Sequence, residues 1–256
     1  MSLSLPAMIR ASGRAVARAT PGLDGALRAL YQQLPPILHD TPTTFLARYF
    51  RRAAQVRFIQ LGAHDGRQGD PLYEIIVGDA RWRGVLVEPN RVAFAALSKT
   101  HRNGDRIRLK RAAISDVAGR RLFYNFTATD DMDPAELQDW WSELSSFDPA
   151  HLKRHLPERL NAAIRAEEVE VVTVAQVMDE FGLNGLDLVV MDIEGHEDAI
   201  LRSLAGLPCA PRLIMFEHKH MTPQALIENT AWFRGSGYRL KMYGRDAMLY
   251  ARRPSG

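Results

Sequence analysis

A single cysteine, Cys209, excludes an internal disulfide, and no cysteine–histidine set has the spacing of a zinc finger. No stretch stays apolar for the roughly 18 residues a membrane-spanning helix requires. Met1–Arg10 has neither the basic start nor the apolar core of a secretory signal. These absences set the expectation of a cytoplasmic protein in a reducing compartment. Neither an internal repeat nor a low-complexity tract is visible. The chain also lacks N-P-P-Y-type and P-C-type motifs of the kind that hold a flipped base, and its basic residues form no stripe along the body, so nucleic acid is not an expected partner.

What is present is an ordinary soluble composition over 256 residues, 46% apolar and 25% charged, which suits one α/β domain with appendages. The net charge of +3 is unevenly placed: Met1–His64 holds eight basic and two acidic residues, a balance of +6, leaving −3 for the remainder. Arg10, Arg14 and Arg18 recur every four residues, on one helix face. The prolines at 35, 36 and 42 then break the pattern. Residues 1–52 are therefore read as a helical N-terminal arm, packed on the body or on a second copy in a homodimer, with a segment for an anionic membrane surface or a targeting peptide as the alternative, and 53–256 as the main domain.

From Val56 the pattern alternates. Strands are expected at Val56–Leu61, Val85–Val87, Ile107–Lys110, Leu186–Met191 and Leu213–Phe216, with helices at Pro71–Val77 and Val92–Lys99. Unbroken apolar runs suit a parallel sheet covered on both faces, and strand–helix order implies right-handed crossovers in a doubly wound sheet. Tyr238–Tyr243 and Met248–Ala251, separated by Gly244-Arg245-Asp246, predict a closing antiparallel hairpin. Alternation stops between Asn125 and Glu168. Asp133-Pro134 and Asp148-Pro149 are helix-start signals there, and residues 127–168 are read as a helical insertion serving as a substrate lid.

Chemistry-bearing residues gather where these strands end. Gln60-Leu61-Gly62-Ala63-His64-Asp65-Gly66 follows the first strand; its glycines permit a sharp turn and close approach of a ligand. Glu88, 22 positions after Gly66 and followed by Pro89 and Asn90, ends the second strand, where an acid can accept hydrogen bonds from ribose hydroxyls. Together these indicate an adenosine-containing ligand. A nicotinamide dinucleotide is disfavoured, because His64 stands where a diphosphate needs glycine. Asp192-Ile193-Glu194-Gly195-His196-Glu197 and Glu217-His218-Lys219-His220 end the next two strands. Acids at two adjacent strand ends are costly without partners, which favours function over packing.

These pieces resemble the FkbM family of methyltransferases. The resemblance rests on L-G-A-H-D-G at Leu61–Gly66, V-E-P-N at Val87–Asn90, A-I-S-D at Ala113–Asp116, D-I-E-G-H-E at Asp192–Glu197 and F-E-H at Phe216–His218. It covers about Val56–Ala251 and implies a class I methyltransferase, Rossmann-like fold, whose usual edge is a C-terminal antiparallel hairpin. It further implies S-adenosylmethionine as cofactor and a hydroxyl on a sugar or natural product as methyl acceptor. By resemblance Gly62, His64 and Gly66 line the methionine part, Gln60 hydrogen-bonds its ammonium, and Ala63 and Asp65 belong to the same cofactor-binding turn. Glu88, with Pro89 and Asn90, holds the ribose; Ala113 and Ile114 flank the adenine; Asp192 and Glu194 sit beside the transferring methyl. Two positions depart from the family pattern: Gln60 replaces an acid, and Val190 replaces a frequent lysine.

A hydroxyl acceptor needs a base, for which His196, Glu194 and His218 are the candidates, a strand-end histidine being favoured for its near-neutral pKa. A divalent cation on Asp192, Glu217 and His218 is the mechanistic alternative, not predicted because no ligand spacing demands it. Trp140, Trp141, Ser145, Ser146 and Phe147 are the candidate acceptor contacts, with Glu217. His151 and His155 lie one helical turn apart without an evident third metal ligand. Two other classes stay open: a catalytically silent cofactor-binding protein and a nicotinamide-dependent oxidoreductase.

Overall fold

The computed structural model describes residues 40–102, 104–128, 132, 137, 141, 144–193 and 195–251. The chain divides into two units, Met1–Arg52 and Ala53–Gly256. The arginine-rich helical reading of the arm lies outside the described residues, as do Asp133-Pro134, Trp140 and Glu194. The first unit contributes α1 (Pro42–Tyr49), started by a capping box in which the Thr41 side chain accepts from the Thr44 backbone and Thr44 answers the Thr41 N–H.

The second unit is built on a seven-stranded sheet of β1 (Val56–Leu61), β2 (Trp82–Val87), β3 (Ile107–Lys110), β8 (Leu188–Met191), β9 (Leu213–Glu217), β10 (Tyr238–Tyr243) and β11 (Asp246–Ala251). Across the sheet the order is β3-β2-β1-β8-β9-β11-β10. β1, β2, β3, β8 and β9 pair parallel; β11 runs antiparallel between β9 and β10. The expected doubly wound sheet with its antiparallel close is thus observed, and the strand order reverses at β1/β8. Such a switch point leaves a crevice outside the strand ends, where open α/β sheets take their ligands.

The apolar runs do what their continuity predicts. Ile59, Leu61, Val189, Ile214 and Phe216 are fully buried in one core with Val177, Ile200 and Leu204. The last three come from α5 (Val174–Glu180) and α6 (Glu197–Ala205). Each such side chain contributes on the order of 1.5–3 kcal/mol. The remaining α-helices among the described residues are α2 (Tyr73–Gly78), α3 (Arg91–Thr100), α4 (Pro149–His155) and α7 (Pro223–Gly235).

Among its described residues the insertion is only partly helical. Asp148 caps α4 by accepting from the Ala150 N–H, as its Asp-Pro signal predicts, and a 3-10 turn follows at Glu158–Ala163. Its flanks, however, are strands: β5 (Gly119–Phe126) and β7 (Ile164–Val172) pair antiparallel over eight registered positions. With β4 (Ala113–Ile114) and β6 (Ser145–Ser146) they form a second sheet, in the order β4-β7-β5-β6. The cause is a period of two: in β7 Val169 and Val171 are buried while Glu168 and Glu170 are exposed. Among the described residues no helix is long and apolar enough to cross a membrane.

Candidate active site

The β1 tip turns between its two neighbours. Gly62 and Ala63 donate to the Val87 carbonyl at 3.0 and 3.1 Å, and Asp192 donates to the Leu61 carbonyl at 3.1 Å. Gly62 has φ +73°, and a Cβ there would lie 1.9 Å from the Asp192 carbonyl oxygen. Gly66 has φ +67°, and its Cβ would meet Leu97 at 2.5 Å and His101 at 2.8 Å. The space these glycines free is therefore filled by protein. Their first task is to let the turn pass the β8 tip and α3, rather than to admit a ligand directly.

Glu88 is the clasp of this turn. One carboxylate oxygen accepts the His64 N–H at 2.9 Å, the other the Asn90 N–H at 2.8 Å. The first bond holds His64, the one non-glycine residue with positive φ among those described, at +46°. Glu88 is 4% exposed, and burial, partly offset by the two N–H donors, raises its pKa to about 7. Asn90 caps α3 through the Val92 and Ala93 N–H groups, and Pro89 lies between these two anchors. Asp65 accepts from Arg67 and Gln68; burial works against its charge, but those donors hold its pKa below the usual carboxylate range.

Gln60 and His64 supply the polar atoms turned inward. Gln60 Oε1 and His64 Nδ1 are buried without a hydrogen-bond partner. Buried polar atoms left unmatched are expensive unless something else meets them, so the β1 turn fits a ligand with hydrogen-bonding groups.

The Asp192–Glu197 loop is held by its last residue. Glu197 accepts from the Ile193 and Gly195 N–H groups at 3.0 Å each; burial raises its pKa, assisted by the neighbouring charge of Glu217. The clamp leaves Asp192 exposed at the strand end and His196 half-buried. His196 Nε2 lies 2.9 Å from Ser115 Oγ, whose proton goes to Asp116 at 3.0 Å. Nε2 is thus the protonated nitrogen, and Nδ1 carries the lone pair. Burial lowers the His196 pKa against the pull of Asp116 and Asp198.

Insertion and strand ends meet at this point. Phe147 stands edge-on to His196, with ring centroids 5.7 Å apart, and the Arg121 guanidinium lies 4.0 Å from the centre of Phe147. On β9, Glu217 pairs with Lys219 at 2.7 Å, and His218 Nε2 contacts the Gly244 carbonyl at 3.1 Å. Asp192, Glu217 and His218 do not assemble into a cation site: among the described residues no three His, Cys, Asp or Glu side chains are disposed to hold a metal ion.

The family model of the methyltransferase FkbM domain matches residues 60–240. The chain belongs to the FkbM methyltransferase family. A solved FkbM methyltransferase from Methylobacillus flagellatus is 14% identical, with a TM-score of 0.46, over 95% of this chain and 59% of that one. The chain thus spans less than two thirds of that relative's length. The METTL16 methyltransferase domain is 10% identical, with a TM-score of 0.44, over 82% of this chain and 66% of that one. No curated protein matches.

Within the FkbM domain some expected contacts change role. Trp141 is 4% exposed and packs edge-on to Phe126 in a core with Leu144, Leu152 and Leu156. It holds the insertion together and offers no face to an acceptor. Ser146 accepts from the Asp148 N–H, and Ser145 and Ser146 pair with β5. Ala113 and Ile114 turn their side chains into two protein cores. Phe147, an expected acceptor contact, stands beside His196, while Arg121 and Ser115 are the neighbours that motif reading left without a role. The third imidazole is also found: His220 lies 5.1 Å from His151 and 6.2 Å from His155, ring to ring, tying α4 to the β9 tip.

Proposed function

We propose that this FkbM-family protein is an S-adenosylmethionine-dependent O-methyltransferase acting on a hydroxyl of a sugar or natural-product acceptor, with His196 as its general base. The observation that carries the reading is the orientation of His196. Ser115 fixes its tautomer, leaving Nδ1 as acceptor, and burial keeps the ring neutral near pH 7. S-adenosylmethionine supplies the electrophile, a methyl group on a sulfonium. The chain's own residues then position and deprotonate. The β1 turn and Glu88 form the cofactor-side wall, where Gln60 Oε1 and His64 Nδ1 await polar partners. Alignment of nucleophile and methyl is worth on the order of 7–11 kcal/mol, and a positioned base roughly 10²–10⁴-fold.

Phe147 of the insertion and Arg121 of β5 complete the acceptor side, an aromatic edge backed by a cation that suits a polar, ring-shaped molecule. His218, whose Nε2 points at a carbonyl in the hairpin turn, is the weaker candidate base. The test compares His196→Asn and His218→Asn. His196→Asn lowers turnover about 10²–10⁴-fold with S-adenosylhomocysteine affinity retained, and His218→Asn does not. Wild-type turnover in His196→Asn would remove the base assignment, and failure of the wild type to bind S-adenosylhomocysteine would remove the cofactor. Binding without turnover on any hydroxylated acceptor would mark a silent scaffold.

A further inference from the structure

One more polar atom of the β1 turn lacks a partner. Asp70 Oδ2 is buried and unmatched, like Gln60 Oε1. The two side chains face each other, and the Gln60 amide draws the Asp70 pKa down against the larger upward push of burial. Asp70 is not adrift: its Oδ1 accepts the Leu72 N–H at 2.7 Å, ahead of α2. No lysine or arginine forms an ion pair with it among the described residues; the opposing charge that bears on it is that of His101. The Gln60 amide N–H faces the Asp70 carboxylate, and the buried, unmatched Gln60 Oε1 and Asp70 Oδ2 are left to receive a group rich in N–H and positively charged.

Gln60 cannot supply that charge itself. Its position in the register is next to Val190 on β8 and Leu86 on β2, so neither neighbouring strand adds a charge at that level. Asp70 is the acid that reaches the same place from the loop. Between the turn and Asp70, residues Arg67, Gln68 and Gly69 are exposed, and Gly69 has open space around its α-carbon.

We propose that Asp70, together with Gln60, receives the α-ammonium at the methionine end of the cofactor. This rests on the cofactor reading above. Asp70 is then a binding residue, and the negative charge at the β1 tip comes from the loop ten residues after Gln60.

The test is calorimetric titration with two ligands: S-adenosylhomocysteine, which carries the ammonium, and 5′-methylthioadenosine, which lacks the whole amino-acid end. Asp70→Asn weakens S-adenosylhomocysteine about 10- to 100-fold and leaves 5′-methylthioadenosine within about twofold. Gln60→Glu placed in the Asp70→Asn background recovers part of the loss. An Asp70→Asn variant that binds S-adenosylhomocysteine as the wild type does, or that weakens both ligands alike, overturns the assignment; the latter makes Asp70 a loop former only. Should Asp70→Asn fail to fold, Gln60→Leu, which keeps the Leu72 clamp, takes its place: selective weakening of S-adenosylhomocysteine supports the assignment, and unchanged or equal weakening overturns it. A wild type that binds neither ligand removes the cofactor reading instead.

Discussion

At the amino-terminal edge of the seven-stranded sheet, Asp187 is buried between two arginines; at the carboxyl-terminal edge, Glu88 and Glu197 are buried against backbone N–H groups. Asp187 takes the Arg57 backbone N–H at 2.9 Å and its Nε at 3.3 Å, with Arg212 at 3.6 Å. Its charge is answered by charge, and the edge is pinned. Glu88 and Glu197 are answered by dipoles of the loops they hold. Dipoles order a loop without supplying a counter-charge, so both carboxyl groups carry raised pKa values, the cost of burial without a cation. Carboxyl groups left without a counter-cation suit a ligand carrying a sulfonium and an ammonium.

The largest way to break this contrast is to disrupt the turn itself. Gly62→Ala sets a Cβ 1.9 Å from the Asp192 carbonyl oxygen at a φ of +73°. The expected result is a loss of at least about 3 kcal/mol in stability and no measurable S-adenosylhomocysteine binding. Gly69→Ala is the control. It has φ +68° but nothing within 4 Å, so it costs only about 1 kcal/mol, with binding retained. Urea unfolding and calorimetry read both. Equal effects of the two would mean that the close approach to Asp192 is unimportant.

The next effect separates the two edges by pH. Glu88 has its pKa raised by burial from 4.5 to about 7, so the folded state holds a proton the unfolded chain has released. That contribution is complete below pH 4.5 and is lost as pH rises to 7, amounting to about 3 kcal/mol. Glu88→Gln flattens the stability profile over this window and weakens the His64 clamp. Asp187→Asn, at the arginine-paired edge, lowers stability by roughly 1–2 kcal/mol, since both guanidinium groups retain access to water. It leaves the slope between pH 4.5 and 7 and the cofactor affinity unchanged. A Glu88→Gln protein with the wild-type slope would show that another group titrates there.

How far the sequence can be read follows the same division. Patterns local in the chain are legible: β1, β3 and β10 coincide with their apolar runs, and the Asp148-Pro149 signal starts a helix. β7 is also written in its alternation of Glu and Val, but a Pro-marked helix nearby draws the reading of the whole insertion toward helix. Contacts made by the fold are not legible. Nothing near Gly62 announces the Asp192 carbonyl, and nothing near His151 announces His220. The two departures from the family pattern show this most clearly. Gln60 and Val190 lie 130 residues apart, yet are register partners across β1 and β8, so an acid and a lysine are replaced together by a neutral pair. Asp70 is visible as an Asp-Pro step before a helix, while its burial beside Gln60 is a product of the tertiary structure.

The smallest effect tests whether the field at the carboxyl-terminal edge is felt by His196. Arg202 on α6 donates both terminal nitrogens to Asp198 at 3.2 Å, and one also reaches Asn229 at 3.0 Å. Its side chain is 60% exposed, so Arg202→Ala costs less than about 0.5 kcal/mol. The direction of its electrostatic effect is nevertheless fixed. Arg202 opposes protonation of His196 and Asp198 favours it. Removing the arginine deletes the first influence and exposes the second, and both raise the His196 pKa. Because the base acts in its neutral form, the acid limb of the pH–rate profile moves upward by roughly a few tenths of a pH unit, more at low salt than at high. A limb that stays fixed at low salt, in a variant with normal stability, would mean that the group limiting turnover on the acid side is a different one, with His218 the next candidate.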